Sequence, residues 1–161
     1  MFERDIISQL AAWKTDTNRK PLVVHGARQV GKTWTLKYFG REYFDDVAYF
    51  SLDKDESGLC DVFRTTKDPQ RIIQHLSFLH GKKIEPQTTL LILDEIQECN
   101  EALNALKYFC EEAPEYAVAC AGSLLGIYLN HVGKSFPVGK VNHLYMYPLT
   151  FTEFLRTKDP V

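Results

Sequence analysis

The sequence predicts a three-layer α/β domain in which helices cover both faces of a five-stranded parallel sheet. Short apolar runs alternate with helical stretches along the 161 residues. This alternation is typical of parallel sheets, because two parallel strands need a long crossover connection between them. Residues 89–93 are almost continuously apolar, which indicates a strand that is buried on both faces. These two observations determine the predicted fold class.

The individual elements follow from local patterns. Runs of apolar and strand-forming residues predict five strands, near 22–25, 47–52, 89–93, 117–121 and 141–146. Apolar residues at helical spacing predict helices at 2–13, 34–39, 70–80, 101–112, 124–130 and 151–156. Gly40 and Gly81 are predicted to cap two of these helices, and Pro114 is predicted to end a third. Residues 53–68 are mostly polar, so we expect a loop or a short helix there.

The composition excludes several classes of protein. Hydrophobic residues make up 45% and charged residues 25%, which is typical of a globular chain and not of a disordered one. The formal net charge of -2 excludes nucleic-acid binding through bulk positive charge. No apolar run approaches the roughly 20 residues of a bilayer span. Because Glu3, Arg4 and Asp5 do not fit a signal peptide, we expect a cytoplasmic protein without a membrane partner.

The four cysteines form no recognisable ligand or redox motif. They lie at positions 60, 99, 110 and 120, and no pair has Cys-x-x-Cys spacing. The histidines are scattered in the same way. We therefore expect four reduced thiols, as in a cytosolic protein, with Cys120 buried in an apolar strand.

The strongest motif is a glycine-rich loop between a predicted strand and a predicted helix. Residues 26–33 match the pattern G-x-x-x-x-G-K-[ST] at every position. Gly26 and Gly31 let the backbone curl so that its N–H groups point at phosphate oxygens. Lys32 brings a positive charge to the β- and γ-phosphates, and Thr33 offers a hydroxyl to Mg²⁺. The residues expected at the bound nucleotide are Gly26, Ala27, Arg28, Gln29, Val30, Gly31, Lys32, Thr33 and Trp34.

Two carboxylates end the buried strand at 89–93. Asp94 is suited to hold Mg²⁺ through its water shell, as the acidic partner of a phosphate loop. Glu95 is suited to orient and polarise the attacking water as a general base. A glutamate after the aspartate favours hydrolysis or conformational switching over kinase chemistry. No Asn/Thr-Lys-x-Asp segment for reading guanine occurs, so ATP is preferred to GTP.

A third polar strand end lies at Ser123. If the strand at 117–121 lies between the two motif strands, the hydroxyl points at the γ-phosphate or the attacking water and acts as a catalytic sensor. Alternatively, Ser123 caps the helix that is predicted to start at Leu124. Both roles fit the sequence.

Five segments together resemble one known family, the prokaryotic AAA-domain ATPases that are usually joined to a C-terminal, nuclease-like domain of unknown function. These segments follow in the family's order, at 26–33, 91–97, 121–123, 136–140 and 147–155. The most specific of them are the motif Gly-Ala-Arg-Gln-x-Gly-Lys-Thr and the segment Tyr-Pro-Leu-x-Phe-x-Glu-Phe-Leu.

The resemblance covers roughly residues 3–156 and implies several further properties. It implies a P-loop NTPase sheet with the strand order 5-1-4-3-2, a single ATPase domain over 1–161, and ATP with Mg²⁺ as ligands. It also implies that the C-terminal partner domain lies outside this chain. The same resemblance suggests a homo-oligomer, and DNA contact through the following domain.

Three functions fit these observations. The first is an ATPase domain of AAA type that binds MgATP and hydrolyses it slowly, coupled to a partner domain. The second is a nucleotide-gated binding or regulatory module with negligible turnover. The third is a small-molecule kinase, which is disfavoured because Arg156 is the one arginine after Ser123 and an arginine-rich lid is missing from the sequence. Arg64 and Arg71 are weak candidates for arginine fingers.

Overall fold

The five predicted strands form one parallel sheet. The computed structural model describes residues 5–27, 29–53, 58–123 and 139–148, together with Thr152 and Leu155. The strands are β1 (Leu22–His25), β2 (Asp46–Ser51), β3 (Thr89–Asp94), β4 (Ala117–Gly122) and β5 (Asn142–Tyr145). Their order in the sheet is β2-β3-β4-β1-β5, which confirms the predicted order 5-1-4-3-2. All four pairings are parallel.

Within residues 5–123, as far as the structure describes them, five α-helices pack on this sheet. They are α1 (Ile6–Thr15), α2 (Lys32–Tyr43), α3 (Leu59–Thr65), α4 (Pro69–His80) and α5 (Asn100–Glu112). The predicted loop or short helix at 53–68 therefore contains a helix, α3. The predicted helix 124–130 lies outside the described residues. Of the predicted helix 151–156, Thr152 and Leu155 are described, and both are helical.

The two glycines that were predicted to cap helices behave differently. Gly81 caps α4 in the left-handed conformation, with a φ of 77°, and its N–H lies 3.0 Å from the carbonyl oxygen of Ser77. Gly40, in contrast, lies inside α2, so the prediction that it ends the helix is wrong. A Cβ at Gly40 would lie 2.5 Å from the side chain of Val47. This glycine is therefore explained by the close approach of α2 to the sheet.

The core has two layers, one on each face of the sheet. Side chains of α1 and α2 pack with one face, and side chains of α3, α4 and α5 pack with the other. In β1, Val23 faces the second layer, whereas Leu22 and Val24 face the first. Every residue of β1, β3 and β4 is buried, as expected for central strands of a parallel sheet. Throughout the described ranges, the helices are too short or too polar to pass through a bilayer.

The sheet brings three strand ends to one edge. His25 at the end of β1 lies opposite Gly122 at the end of β4. Leu93, next to the end of β3, lies opposite Cys120 of β4. Because β4 separates β1 from β3, the phosphate loop and the acidic pair lie on either side of the end of β4. Ligands of open α/β sheets bind at this edge, beyond the carboxyl ends of the strands.

Two of the four cysteines are joined, so the prediction of four reduced thiols is wrong. Cys60 of α3 and Cys99, which precedes α5, form a disulfide with a Cα–Cα distance of 5.9 Å. The two residues are 39 positions apart, and they meet because α3 packs against α5. Local spacing could not reveal this pair. Cys110 and Cys120 are free, and Cys120 is buried in β4 as predicted. Burial raises the pKa of the Cys120 thiol.

Candidate functional site

The loop at residues 26–33 connects β1 directly to α2. Gly31 occupies the N-cap position of α2 with a φ of 93°, a conformation that favours glycine. The carbonyl oxygen of Gly31 accepts a hydrogen bond from the Thr35 N–H at 2.9 Å, which starts the helix. Gln29 also has a positive φ, of 65°. The positive end of α2 therefore begins where the loop ends, as an anion site requires.

Gly26 is needed for a different reason from Gly31. A Cβ at Gly26 would lie 2.6 Å from the backbone oxygen of Met146 and 3.0 Å from the Val30 side chain. Met146 follows β5 and is held in place by its N–H, which donates to the His25 oxygen at 2.7 Å. Gly26 therefore permits two backbone segments to touch. The expected curl of the loop is provided by Gly31.

Lys32 is folded over the loop. Its Nζ donates to the carbonyl oxygens of Gly26 and Ala27, both at 2.7 Å, and the residue is 9% exposed. Burial lowers the pKa of Lys32, while the carboxylates of Glu95 and Asp94 act in the opposite direction. The ammonium group thus lies inside the loop, where phosphate oxygens are expected. Its alkyl chain and ammonium group are enclosed by the loop.

Asp94 and Thr33 meet across 61 residues of sequence. The Thr33 hydroxyl donates to Oδ2 of Asp94 at 2.6 Å, and the Glu95 N–H donates to Oδ1 at 2.9 Å. Asp94 is 5% exposed. A hydroxyl and a carboxylate are hard oxygen ligands of the kind that Mg²⁺ prefers. The donor chemistry therefore fits the predicted pair of magnesium-binding residues.

Tyr49 is a member of this cluster that the sequence reasoning missed. Its hydroxyl donates to the same Oδ2 of Asp94, at 2.6 Å. Burial, and then the hydrogen bond to Asp94, raise the pKa of Tyr49 above its usual value. The available signal was strand periodicity: Tyr49 lies opposite Ile92, two residues before the pair formed by Ser51 and Asp94. It therefore shares a sheet face with Asp94.

Glu95 adopts an unusual backbone conformation. Its φ of 52° and ψ of 48° are left-handed, which is costly for a residue with a Cβ. One oxygen of its carboxylate accepts a hydrogen bond from Nε2 of Gln97, a residue of the following 3₁₀ turn, Ile96–Glu98. Strained residues are concentrated at functional sites, because the surrounding structure must enforce them. The sequence predicted Glu95 but not its partner Gln97.

The phosphate loop and the residues after β3 line a common cavity of about 440 Å³. Its volume is in the range of small-molecule sites. Trp34 forms part of its wall, is 44% exposed and stacks on Tyr38 with 5.3 Å between ring centroids. The residues that line the cavity are Gln29, Gly31, Lys32, Thr33, Trp34, Asp53 and Glu95. Asp53 was not predicted, because it lies in a polar stretch without a motif.

The structure gives fewer contacts for the remaining candidates, which are Ser123 and the three arginines. Ser123 follows Gly122, whose partner across the sheet is His25, so it lies at the same edge as the loop. The helix that Ser123 was predicted to cap lies outside the described residues, as does Arg28. Arg64 pairs with Asp61 at 2.7 Å, and Arg71 lies 3.9 Å from Asp68.

A pair of histidines lies directly behind the loop. Nε2 of His25 is 2.8 Å from Nδ1 of His143, and His25 is 3% exposed. Burial, followed by the nearby His143 and Lys32, lowers the pKa of His25 to about 4. His25 is consequently neutral at physiological pH. His25 therefore adds no positive charge beside the phosphate loop.

The comparison with protein families decides the identity of the fold. A family model described as "AAA domain" matches residues 18–155. The chain belongs to the AAA domain family. The match includes the phosphate loop, the acidic pair and Ser123, and it makes this chain a nucleotide-binding ATPase domain of AAA type. Members of this family generally bind ATP together with Mg²⁺.

The AAA domain is also similar to solved structures. One of them is C. elegans PCH-2, with a TM-score of 0.47 and 12% sequence identity. The similarity covers 88% of this chain and 41% of the PCH-2 chain, so this chain spans less than half of that protein. Among curated proteins, none matches the sequence.

Proposed function

We propose that this AAA domain binds MgATP and hydrolyses it slowly, with turnover coupled to a partner domain. The observation that carries the proposal is the hydrogen bond from Thr33 to Asp94, at 2.6 Å, beside the enclosed ammonium group of Lys32. A hydroxyl, a carboxylate and a cation from three different positions converge at the edge where ligands of such sheets bind. A purely structural turn has no need of this combination.

Each residue of the loop has a defined task in nucleotide binding. The N–H groups at the start of α2 donate to phosphate oxygens, and Lys32 transfers its hydrogen bonds from the carbonyls of Gly26 and Ala27 to the phosphates. Thr33 and Asp94 would hold Mg²⁺, which supplies positive charge to the phosphate oxygens when it is bound. The aromatic ring of Trp34 forms a wall of the same cavity.

Hydrolysis requires a group that accepts the proton of the attacking water. Glu95 lines the cavity, and its carboxylate is held by Gln97 Nε2. The carboxylate takes the proton as the water oxygen attacks the γ-phosphorus, and ADP leaves. For Ser123 we keep both roles, a sensor hydroxyl at the γ-phosphate and a helix cap. ATP is proposed as the nucleotide because the sequence contains no segment for reading guanine.

A second candidate function is a nucleotide-gated module with negligible turnover. The contact between Glu95 and Gln97 favours it, because the carboxylate oxygen that accepts this hydrogen bond is less available to an attacking water molecule. In such a module the bound nucleotide, and not its hydrolysis, would control the partner. The two functions share every residue of the loop and differ in what Glu95 does.

The partners and the location of the protein are also proposals. The resemblance supports a C-terminal nuclease-like domain, a homo-oligomer, and DNA contact through the following domain. We propose a cytoplasmic location because ATP is an intracellular ligand. In a reducing compartment, disulfides are rare, so Cys60 and Cys99 would then be present there as thiols for much of the time.

Calorimetry with Lys32→Ala tests the proposed function. The parent chain should bind MgATP, and Lys32→Ala should lose about 100-fold in affinity, because hydrogen bonds to a charged group contribute about 1.5–3 kcal/mol. Lys107→Ala, at an exposed position of α5, is the matched control and should bind like the parent. Equal affinities of the parent and of Lys32→Ala would refute the site.

Phosphate release at saturating ATP separates the two candidate functions. Release by the parent that Glu95→Gln abolishes supports the ATPase. Tight binding without release, in this chain and in one that carries the following domain, supports the nucleotide-gated module. No binding in either chain refutes both functions.

A further inference from the structure

Both oxygens of the Asp94 carboxylate already have hydrogen-bond donors. Oδ1 accepts from the Glu95 N–H at 2.9 Å. Oδ2 accepts from two hydroxyls, those of Thr33 and Tyr49, each at 2.6 Å. Distances of this size are typical of O–H donors to an ionised carboxylate, which are stronger than neutral hydrogen bonds. The carboxylate is therefore fixed in one orientation before any ligand is present.

The Tyr49 side chain is itself held in place from two sides. Tyr49 lies in β2, opposite Ile92 of β3, and its ring packs with the core layer formed by α1 and α2. Nζ of Lys37, one turn after Thr33 in α2, lies 3.9 Å from the centroid of the Tyr49 ring. A cation at this distance over an aromatic face is attracted to it. The phenol consequently reaches Asp94 from a rigid strand, whereas Thr33 reaches it from the helix.

The two hydroxyls on Oδ2 have different tasks. A threonine at the end of a phosphate loop can turn a lone pair to Mg²⁺, while its hydrogen stays on the carboxylate. Tyr49 lies outside the loop and is absent from the residues that line the cavity. The Tyr49 hydroxyl is a donor to the carboxylate in the observed hydrogen bond, at 2.6 Å from Oδ2.

We propose that Tyr49 is a positioning residue for magnesium: its hydroxyl fixes the Asp94 carboxylate so that this carboxylate and Thr33 together hold the ion of MgATP. The inference rests on the proposed function and adds to it a residue from outside the motifs. Ligating carboxylates are themselves hydrogen-bonded, and loss of such outer partners typically lowers metal affinity about 10–100-fold. Nucleotide affinity without Mg²⁺ depends on the loop and on Lys32, which Tyr49 does not contact in any described interaction.

The test compares two dissociation constants of ADP in each variant, one measured in EDTA and one at saturating Mg²⁺. The dissociation constant in EDTA divided by that in Mg²⁺ reports how much the metal tightens nucleotide binding. This ratio does not depend on turnover. Tyr49→Phe keeps the ring and its contact with Lys37 but removes the hydroxyl. We expect the ratio to fall about tenfold in Tyr49→Phe, with an unchanged dissociation constant in EDTA.

Tyr43→Phe is the matched control. Tyr43 lies at the end of α2, is 40% exposed and contacts Phe39 by its ring. Its variant should keep the parental ratio. An unchanged or larger ratio in Tyr49→Phe overturns the inference. An equal loss in EDTA and in Mg²⁺, or a lower urea midpoint without ligand, identifies Tyr49 as a structural residue and also overturns it.

The same titration distinguishes the failure of this inference from the failure of the proposed function. If the parent binds no ADP under either condition, the nucleotide site itself is refuted. If the parent binds ADP more tightly with Mg²⁺ and Tyr49→Phe does the same, the site stands and the role of Tyr49 does not.

Discussion

The phosphate loop and the acidic end of β3 face one cavity but are built in opposite ways. The loop at 26–33 is local: eight consecutive residues provide its glycines, its lysine and its threonine. The acidic end is assembled from distant positions, because Asp94 receives donors from Thr33 in α2 and from Tyr49 in β2. One half of the site is made mainly by backbone geometry and the other mainly by side-chain hydrogen bonds.

The difference determines how each half responds to substitution. A backbone-made loop is sensitive to any added atom, because its glycines are placed by close contact and by positive φ. A cluster of side chains tolerates a change of shape but depends on each donor and acceptor.

Glu95→Gln should have the largest effect and should separate chemistry from binding. The change keeps the shape of the side chain and an oxygen that accepts from Gln97, but it removes the basicity. Loss of a general base typically lowers the rate about 10²–10⁴-fold. We expect ATP affinity equal to that of the parent or higher, because the carboxylate faces negative phosphate oxygens.

Phosphate release at saturating ATP is the measurement for Glu95→Gln, in this chain and in one extended by the proposed C-terminal domain. Glu98→Gln is the control, because Glu98 is an exposed glutamate in the same 3₁₀ turn. Parental turnover in the Glu95→Gln protein would show that Asp94 is the functional carboxylate at this strand end.

The disulfide should stabilise the acidic half of the site more than the loop. Cys99 ends the 3₁₀ turn that begins after Glu95, and Cys60 anchors it to α3. Closing a loop of this length is worth about 3–4 kcal/mol of unfolding free energy. We therefore expect urea denaturation of the oxidised chain to show a loss of this size when a dithiol reductant is added.

Cys110→Ser is the control for this experiment, because Cys110 carries a free thiol. The Cys60→Ser/Cys99→Ser double variant should match the reduced protein and should no longer respond to reductant. The chain is purified without reductant and then denatured. A thiol titration of this sample should find two thiols, those of Cys110 and Cys120. Four thiols would show that the expectation from the sequence was right in solution.

The sequence predicted most of the fold because the deciding signals are local. Apolar runs predicted the five strands to within two residues at each end, and the motif predicted a loop between a strand and a helix, which the structure places between β1 and α2. The sequence did not predict the role of Tyr49, because that role depends on the pairing of β2 with β3, which no local pattern indicates. The Cys60–Cys99 disulfide was not predicted either, because it depends on the packing of α3 against α5. Gly40 was misjudged because a glycine that ends a helix and one that lets a helix approach a sheet look alike in sequence.

Gly26→Ala should break the loop by steric contact alone. The new Cβ would lie 2.6 Å from the backbone oxygen of Met146, so the loop or the end of β5 must move. Overpacking of this kind typically costs about 1–3 kcal/mol, and MgATP affinity should fall because the loop amides are displaced. Chemical denaturation and calorimetry on the same sample measure both effects.

Gly81→Ala is the matched glycine for this test. Gly81 has a positive φ, but a Cβ there would meet no atom within 4 Å. Its variant should lose a little stability and retain the parental MgATP affinity. Loss of affinity in Gly81→Ala as well would show that general destabilisation, and not the contact with Met146, weakens the site.

The smallest effect concerns backbone strain in the half of the site that side chains otherwise dominate. Glu95→Gly and Glu95→Ala both remove the carboxylate and its contact with Gln97, so they differ chiefly in how well they tolerate the left-handed backbone at this position. Glycine adopts that conformation freely, whereas alanine does not, so Glu95→Gly should be the more stable variant by about 1 kcal/mol.

The same pair of changes at Glu98, inside the 3₁₀ turn, should give the opposite order, because there the φ is not positive and glycine costs about 0.5–1 kcal/mol relative to alanine. Urea midpoints of the four variants give both differences. A reversal between positions 95 and 98 would show that the fold holds Glu95 against its own backbone preference so that its carboxylate faces the cavity. If alanine is the better residue at both positions, the left-handed turn forms without strain, and the orientation of Glu95 must be attributed to its hydrogen bond with Gln97 alone.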